Sequence, residues 1–210
     1  MCANFEPPTR HALKTAGGKF RDDADYRSSV FPGQAAPIIT NDSPSDIHLA
    51  CFGLVPHWAE PKLARMTYNS RSETAATKPS FRSAWRNAQL AVAPAQVFFE
   101  PNYETGKAVR HAIRRKDGAI MWLAGLFERR PHDPGLTRLS FTLLTIAAGD
   151  HPIMGRMHGV DDEKRSVVVL GEAGRSAWLN ATDAADRHSL LSPFDPDEFE
   201  SFAAPLPPRS

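Results

Sequence analysis

A chain of 210 residues, 41% hydrophobic and 23% charged, carries enough apolar material to bury a substantial core as one domain. A net charge of +1 argues against binding a polyanion over the whole surface, and two cysteines exclude a disulfide framework and suit a reducing compartment. No apolar run approaches transmembrane length, and Glu6, Pro7, Pro8 and Arg10 stand where a signal peptide needs apolar residues, so a cytoplasmic monomer with no membrane partner is expected.

At the chain start, Met1 precedes Cys2, whose side chain is small enough for an aminopeptidase to remove Met1. Cys2 would then carry an α-amine of pKa about 7.7–8.0 beside a thiol of about 8.5. Such an aminothiol condenses with aldehydes to a five-membered thiazolidine. A disordered terminal residue is the alternative reading.

Thr9 is placed to cap a short helix over 10–16, ended by Gly17-Gly18. Pro32, Gly33 and Pro37 keep 31–40 extended, and the apolar run 48–55 predicts a strand stopped by Pro56. Trp58 follows at a strand-to-loop junction, as a buried anchor or as an exposed ring for stacking on a base. Tyr68 to Glu73 is the most polar cluster of the first half and leads into a predicted short helix to Thr77. A second helix from Pro79 or Ser80 sets Phe81, Ala84 and Trp85 on an apolar side. Arg82 and Arg86, four apart, share its basic face, as an anion site or as solvated surface.

Strands are predicted at 90–93, ended by Pro94, and at 96–100, where Glu100 closes an aromatic strand. A carboxyl there is either desolvated, with a raised pKa, or simply solvent-facing. Asp117-Gly118 between 109–116 and 119–128 predicts a hairpin, and 137–148 and 165–170 predict further strands, the last buried on both faces. Helices are predicted at 173–179 and 196–202, with a disordered tail over 205–210. The fold class is therefore α+β: one β-rich domain over 1–204, a mostly antiparallel barrel-like sheet with short helices. Cations crowd 62–116 and acids gather after Asp183, an asymmetry that marks either a phosphate-binding surface or solvated faces.

Neither a Gly-rich phosphate loop nor a Gly-x-Ser-x-Gly elbow is present, and His151 and His158 lack metal-ligand spacing, so no metal and no cofactor is expected. Several segments in order carry a resemblance: Met1-Cys2, Gly53-Leu54-Val55-Pro56-His57-Trp58, Asn69-Ser70-Arg71-Ser72-Glu73-Thr74, Lys78-Pro79-Ser80-Phe81-Arg82, Phe98-Phe99-Glu100, Ala124-Gly125-Leu126-Phe127-Glu128, and His158 before Arg165. Together these resemble the SOS-response-associated peptidase family (the SRAP domain) over roughly 1–171. The resemblance implies a protein that senses abasic sites in single-stranded DNA and links to them covalently, with a positively charged groove. It implies Cys2 as nucleophile, Asn69 holding the opened sugar, and Glu100 and His158 as acid/base groups. It also implies Asn4, Trp58, Arg71, Ser72, Lys78, Arg82, Arg86 and Arg165 as DNA contacts.

The sequence departs from the family pattern at Ala3-Asn4, where Gly-Arg is usual, at Pro101 and at Phe52. The family's histidine can be aligned either with the stretch Met154 to Met157, leaving a methionine in its place, or with His158 followed by an insertion over 159–164. A cysteine-type peptidase acting on other proteins, with His158 as base, and a non-covalent single-strand binder are the alternative functions. Removal of Met1 is itself a peptide cleavage, which would account for the family's peptidase label, and self-cleavage and an aminopeptidase are both compatible with the sequence.

Overall fold

The computed structural model describes residues 2–21, 23–130 and 139–206. In chain order the strands are β1 (Asn4–Glu6), β2 (Lys19–Phe20), β3 (Ala35–Thr40), β4 (Ser43–Phe52), β5 (Asn69–Arg71), β6 (Leu90–Ala95), β7 (Val97–Asn102), β8 (Val109–Arg115), β9 (Met121–Arg129), β10 (Leu139–Ala147), β11 (Arg165–Val167), β12 (Val169–Leu170) and β13 (Phe199–Ala203). The helices are α1 (Arg10–Thr15), α2 (Arg82–Arg86), α3 (Glu172–Asn180) and α4 (Ala184–Ser189), with 3-10 turns at Pro61–Met66, Met154–Arg156 and Pro196–Glu198.

A small antiparallel sheet has the order β1-β7-β8-β13, and a larger one runs β11-β10-β4-β3-β6-β9-β12, with β2 beside β4 and β5 beside β10. The larger sheet curls until β10 meets both β9 and β4. Its contact with β4 spans only Ser140–Cys51 and Phe141–Phe52, and beyond these β5 takes the edge, so the sheet is not a true barrel. The mixed α+β, mostly antiparallel architecture otherwise agrees with the sequence reading.

Successive residues of a strand face opposite sides. Ile38, Ala91 and Leu143 enter one core cluster with Cys2, Phe5 and Phe98. Their neighbours Ile39, Val92 and Leu144 enter a second cluster with Leu13 of α1, Trp85 of α2 and Trp178 of α3. The layers are thus small sheet, large sheet, helices. Trp178 is fully buried, and its indole N–H donates to the Ala91 carbonyl at 3.0 Å, so the ring contributes area without stranding its polar edge. Among the described residues no helix is long and apolar enough to cross a membrane.

Some elements differ from the sequence expectations for tertiary reasons. Thr9 caps α1 as expected, accepting from Ala12 N at 3.2 Å. The Asp117-Gly118 turn forms, with Gly118 at φ 71°, but its flanks are no hairpin: β8 pairs with β7 and β13, whereas β9 pairs with β6, β10 and β12. The turn carries the chain from one sheet to the other. Residues 72–77 make successive turns rather than a helix. The expected helix over 196–202 is one 3-10 turn followed by β13, which completes the small sheet against β8. There Arg114 pairs with Glu200 and Arg115 with Glu198, so part of the charge asymmetry is internal pairing. β6 runs through Pro94, because its two pairs with β3 end at Val92 and the proline has a strand on one side only. The expected strand start at Thr137 and the end of the expected tail, 207–210, lie outside the described residues.

Gly53 ends β4 at φ 123°, and a Cβ there would meet the Ala64 carbonyl oxygen at 2.0 Å. Gly53→Ala is expected to cost about 3 kcal/mol, because strained backbone and displaced 3-10 turn add, lowering Tm by about 6–12 °C in a thermal melt. A shift under about 2 °C would show that the turn moves freely.

Candidate active site

The short strand β1 brings Cys2 into the core. Its register against β7 pairs Phe5 with Phe98 and Asn4 with Phe99, and continuing it sets Ala3 opposite Glu100 and Cys2 opposite Pro101. Cys2 is fully buried, with Sγ 3.4 Å from the Asn4 carbonyl oxygen. Burial pushes its thiol up to about 12, and the charge of Glu100 adds to the rise. The thiol is therefore protonated at neutral pH.

Three further side chains converge from distant strands. β5 pairs with β10, Asn69 opposite Leu143, and Asn69 Nδ2 donates to the Cys2 carbonyl at 2.8 Å. Asn69 Oδ1 is buried with no hydrogen-bond partner among the described residues. Glu100, 2% exposed, lies on β7, and its Oε2 is 2.8 Å from His158 Nε2. His158 reaches it by a local device. Asn102 bridges to Met157, His158 N donates to the Pro101 carbonyl at 2.6 Å, and His158 takes a left-handed φ of 65° that turns the chain. It is thus His158 that faces Glu100, whereas Met154 and Met157 are buried in the core. A thiol, an amide, a carboxyl and an imidazole are thus linked, Asn69 to the Cys2 backbone, Glu100 to the Cys2 thiol through its charge and His158 to Glu100, and of the four His158 lines the cavity described below. Such a set can hold a small polar group, pass a proton and present sulfur to an electrophile.

The cations expected to contact DNA are placed unequally. A cavity of about 330 Å³ opens over the histidine, lined by Tyr68, Arg71, His158, Asp162, Glu163 and Arg165. Arg71 is half-exposed there and pairs with Glu163 at 2.7 Å. Ser72 is buried beside it, its N–H donating to the Thr145 carbonyl. Arg165 is 2% exposed and fully engaged: Nη1 on Glu163 at 2.5 Å, Nη2 on Glu73 and the Thr145 carbonyl at 2.8 Å, Nε on the Thr145 hydroxyl. It holds the 159–164 insertion to β10 rather than facing outwards. Asn4 is also spent. Its amide donates to Ser29 and to the Val30 carbonyl and accepts from Arg110, which stacks on Phe99. Lys78, Arg82 and Arg86 are exposed, but α2 packs on the opposite face of the large sheet from Cys2. Trp58 is 59% exposed.

The family model for "SOS response associated peptidase (SRAP)" matches residues 1–205. The chain belongs to this family. Among similar SRAP-related chains, "Abasic site processing protein YoqW" of Bacillus subtilis is 28% identical over 191 residues, 88% of this chain and 82% of its own length. "Abasic site processing protein YobE" of the same organism is 29% identical, covering 88% and 84%. A crystal structure of a Bordetella bronchiseptica protein superposes with a TM-score of 0.86 at 30% identity, covering 98% of this chain and all of the other. One from Bacteroides thetaiotaomicron gives 0.81 at 23% identity, covering 96% and 91%, a likeness of fold.

Within this SRAP chain, the sequence reading does not single out Tyr68, which lines the cavity over His158, or Arg110, which holds Asn4. Tyr68 is raised by burial and by the charges of Glu100 and Cys2, and its ring meets Phe52 edge-on at 5.8 Å. Its place directly before Asn69 was the available signal. Arg110 gave no local signal, since β8 brings it to Asn4 across 106 residues. Because Arg165 ties two half-exposed carboxylates that can rehydrate, Arg165→Met is expected to cost about 2 kcal/mol, less than for a fully buried pair. Urea unfolding measures it, and a loss below about 0.5 kcal/mol would make the network ornamental.

Proposed function

We propose that this protein captures abasic sites in single-stranded DNA by forming a thiazolidine between Cys2, freed of Met1, and the opened sugar. The observation that carries the reading is the convergence on Cys2 of Asn69, 2.8 Å from its carbonyl, and of the buried Glu100–His158 pair at 2.8 Å. The names of the Bacillus relatives support the choice of lesion.

An abasic deoxyribose rests mainly as a closed hemiacetal, so ring opening needs a proton given to the ring oxygen and one taken from the C1′ hydroxyl. The 2.8 Å contact between Glu100 and His158 places a carboxyl and an imidazole within proton-transfer reach of each other, and the pair is assigned to that exchange. The Cys2 amine then adds to C1′, and loss of one water, carrying off the aldehyde oxygen, leaves an imine. Sulfur adds to the imine carbon while a proton reaches the nitrogen. A protonated thiol suits this last step, because it brings the proton the nitrogen requires. Asn69, through an Oδ1 with no hydrogen-bond partner among the described residues, is assigned to hold a sugar hydroxyl.

Arg71 and Trp58 are assigned to the strand, Arg71 to a phosphate and Trp58 to a base. A phosphate arriving at Arg71 displaces Glu163. Ser72 supports Arg71 from within the turn, and Lys78, Arg82 and Arg86 serve a strand only where it wraps past the sheet edge. Trp58→Ala is expected to weaken binding of undamaged single strands by about 1–3 kcal/mol, measured by fluorescence anisotropy. An unchanged affinity would remove the ring from the interface.

Incubation with an oligonucleotide carrying one abasic site tests the whole reading. The expected product resists heat and denaturant, and its intact mass equals the chain without Met1 plus DNA minus one water. Absence of the adduct, or an adduct that retains Met1, overturns the proposal. Peptide turnover without DNA would favour a peptidase acting on other proteins.

A further inference from the structure

A second and larger cleft, about 760 Å³, opens where β4 and β10 meet the Pro61–Met66 turn. Neither Cys2, Asn69, Glu100 nor His158 lines it. Pro32, Val55 and Pro61 give it an apolar wall, while Lys62, Arg65 and Arg130 supply charge, and no carboxylate is among its described lining residues. Arg130 Nη1 is buried with no hydrogen-bond partner among the described residues. A guanidinium nitrogen in that state carries an uncompensated desolvation cost, which an anionic oxygen would relieve. Arg65 is exposed and makes no ion pair with a described residue. Among the described residues Lys62 pairs with Glu60, both largely in solvent, so that pair is weak and easily exchanged.

We propose that this cleft is a nucleotide subsite, holding a phosphate on Arg65 and Arg130 and a base or sugar against the proline wall, for a nucleotide flanking the lesion on the same strand. The inference rests on the functional reading above and extends it. Its position favours a strand over a free nucleotide. Ser140 lines the cleft, and Leu143, three residues on along β10 and so about 10 Å away, is the partner of Asn69. Cys51 of the cleft adjoins Phe52, whose ring meets Tyr68 at the reactive pocket. A chain lying over Asn69 reaches both. The size of the cleft suits a nucleotide rather than a bare ion.

Cys51 also makes the test direct. The sequence has two cysteines, so in Cys2→Ala protein Cys51 is the sole thiol, half-buried in the cleft wall. Its reaction with a maleimide is followed with and without an undamaged oligonucleotide of about 12 nucleotides, binding being read in parallel by anisotropy. The expected result is labelling slowed at least about tenfold at saturation, with far less protection from a mononucleotide at equal phosphate concentration. Replacing Arg65 and Arg130 together by Gln should abolish that protection and lower the salt slope of binding by about 0.7, the share of one phosphate on a single strand. Unchanged labelling at saturation, or no binding at all, overturns the subsite. Equal protection by the mononucleotide overturns the strand assignment and points to a free-nucleotide site. Since no adduct is needed, wild-type protein that crosslinks while Cys51 stays unprotected sinks this inference alone. A protected Cys51 without any adduct sinks covalent capture alone.

Discussion

Cys2→Ala protein is expected to form no denaturant-resistant adduct with abasic DNA at any incubation time. Alanine keeps the small residue that permits loss of Met1 and leaves the amine in place, so an imine can still form. It lacks the sulfur that closes the ring, and an imine reverts in water. The buried thiol is small, so its removal costs only about 1 kcal/mol and the fold survives. A second signature accompanies the loss. With its folded pKa raised to about 12 from a usual value of 9.0, the Cys2 thiol keeps its proton in the native chain after the unfolded chain has lost it. Its contribution to stability is complete below about pH 9 and fades as pH climbs towards 12. Wild-type protein should therefore lose stability over that alkaline interval more steeply than Cys2→Ala. A stable adduct in the variant would move the nucleophile elsewhere.

Glu100→Gln should slow adduct formation by about 10²–10⁴ without preventing it, the range for losing a positioned acid/base group. Glutamine matches the shape and still meets His158 Nε2, so packing in a site only 2% exposed is preserved. What it cannot do is take up and release a proton, and ring opening then depends on solvent or on His158 alone. Single-turnover rates on abasic oligonucleotides, against undamaged-strand affinity, separate this effect from binding. A rate within threefold of wild type would make Glu100 a positioning residue for His158. A rate loss mirrored by lost affinity would make it structural.

Local chemistry in the chain was legible where an interaction spans a few residues. Thr9 announces α1 because a cap acts three residues ahead. Asp195 likewise caps its 3-10 turn, accepting from Asp197 N, but the turn does not extend into the helix expected over 196–202. The open edge of β8 won instead, since five residue pairs there outweigh the propensity of a single turn. β1 went unread because three residues carry no periodicity, although their pairing with β7 is what places Cys2.

By itself the sequence determined which reactive groups exist and in what order: an aminothiol near the start, an Asn-x-Arg segment, a strand-end glutamate and a lone histidine before Arg165. Motif order also identified the family and the α+β class. Only the tertiary structure decided which of these groups meet, and which cations are already spent. His158 finds Glu100 across 58 residues, and Arg165 is consumed by Glu73 across 92. Arg82 and Arg86 are carried to the far face of the sheet, and the cleft of Arg65 and Arg130 is assembled from five separate stretches. The physical reason is that charge and side-chain type are local properties, whereas desolvation, pairing and the face a residue occupies are set by what other strands lay against it.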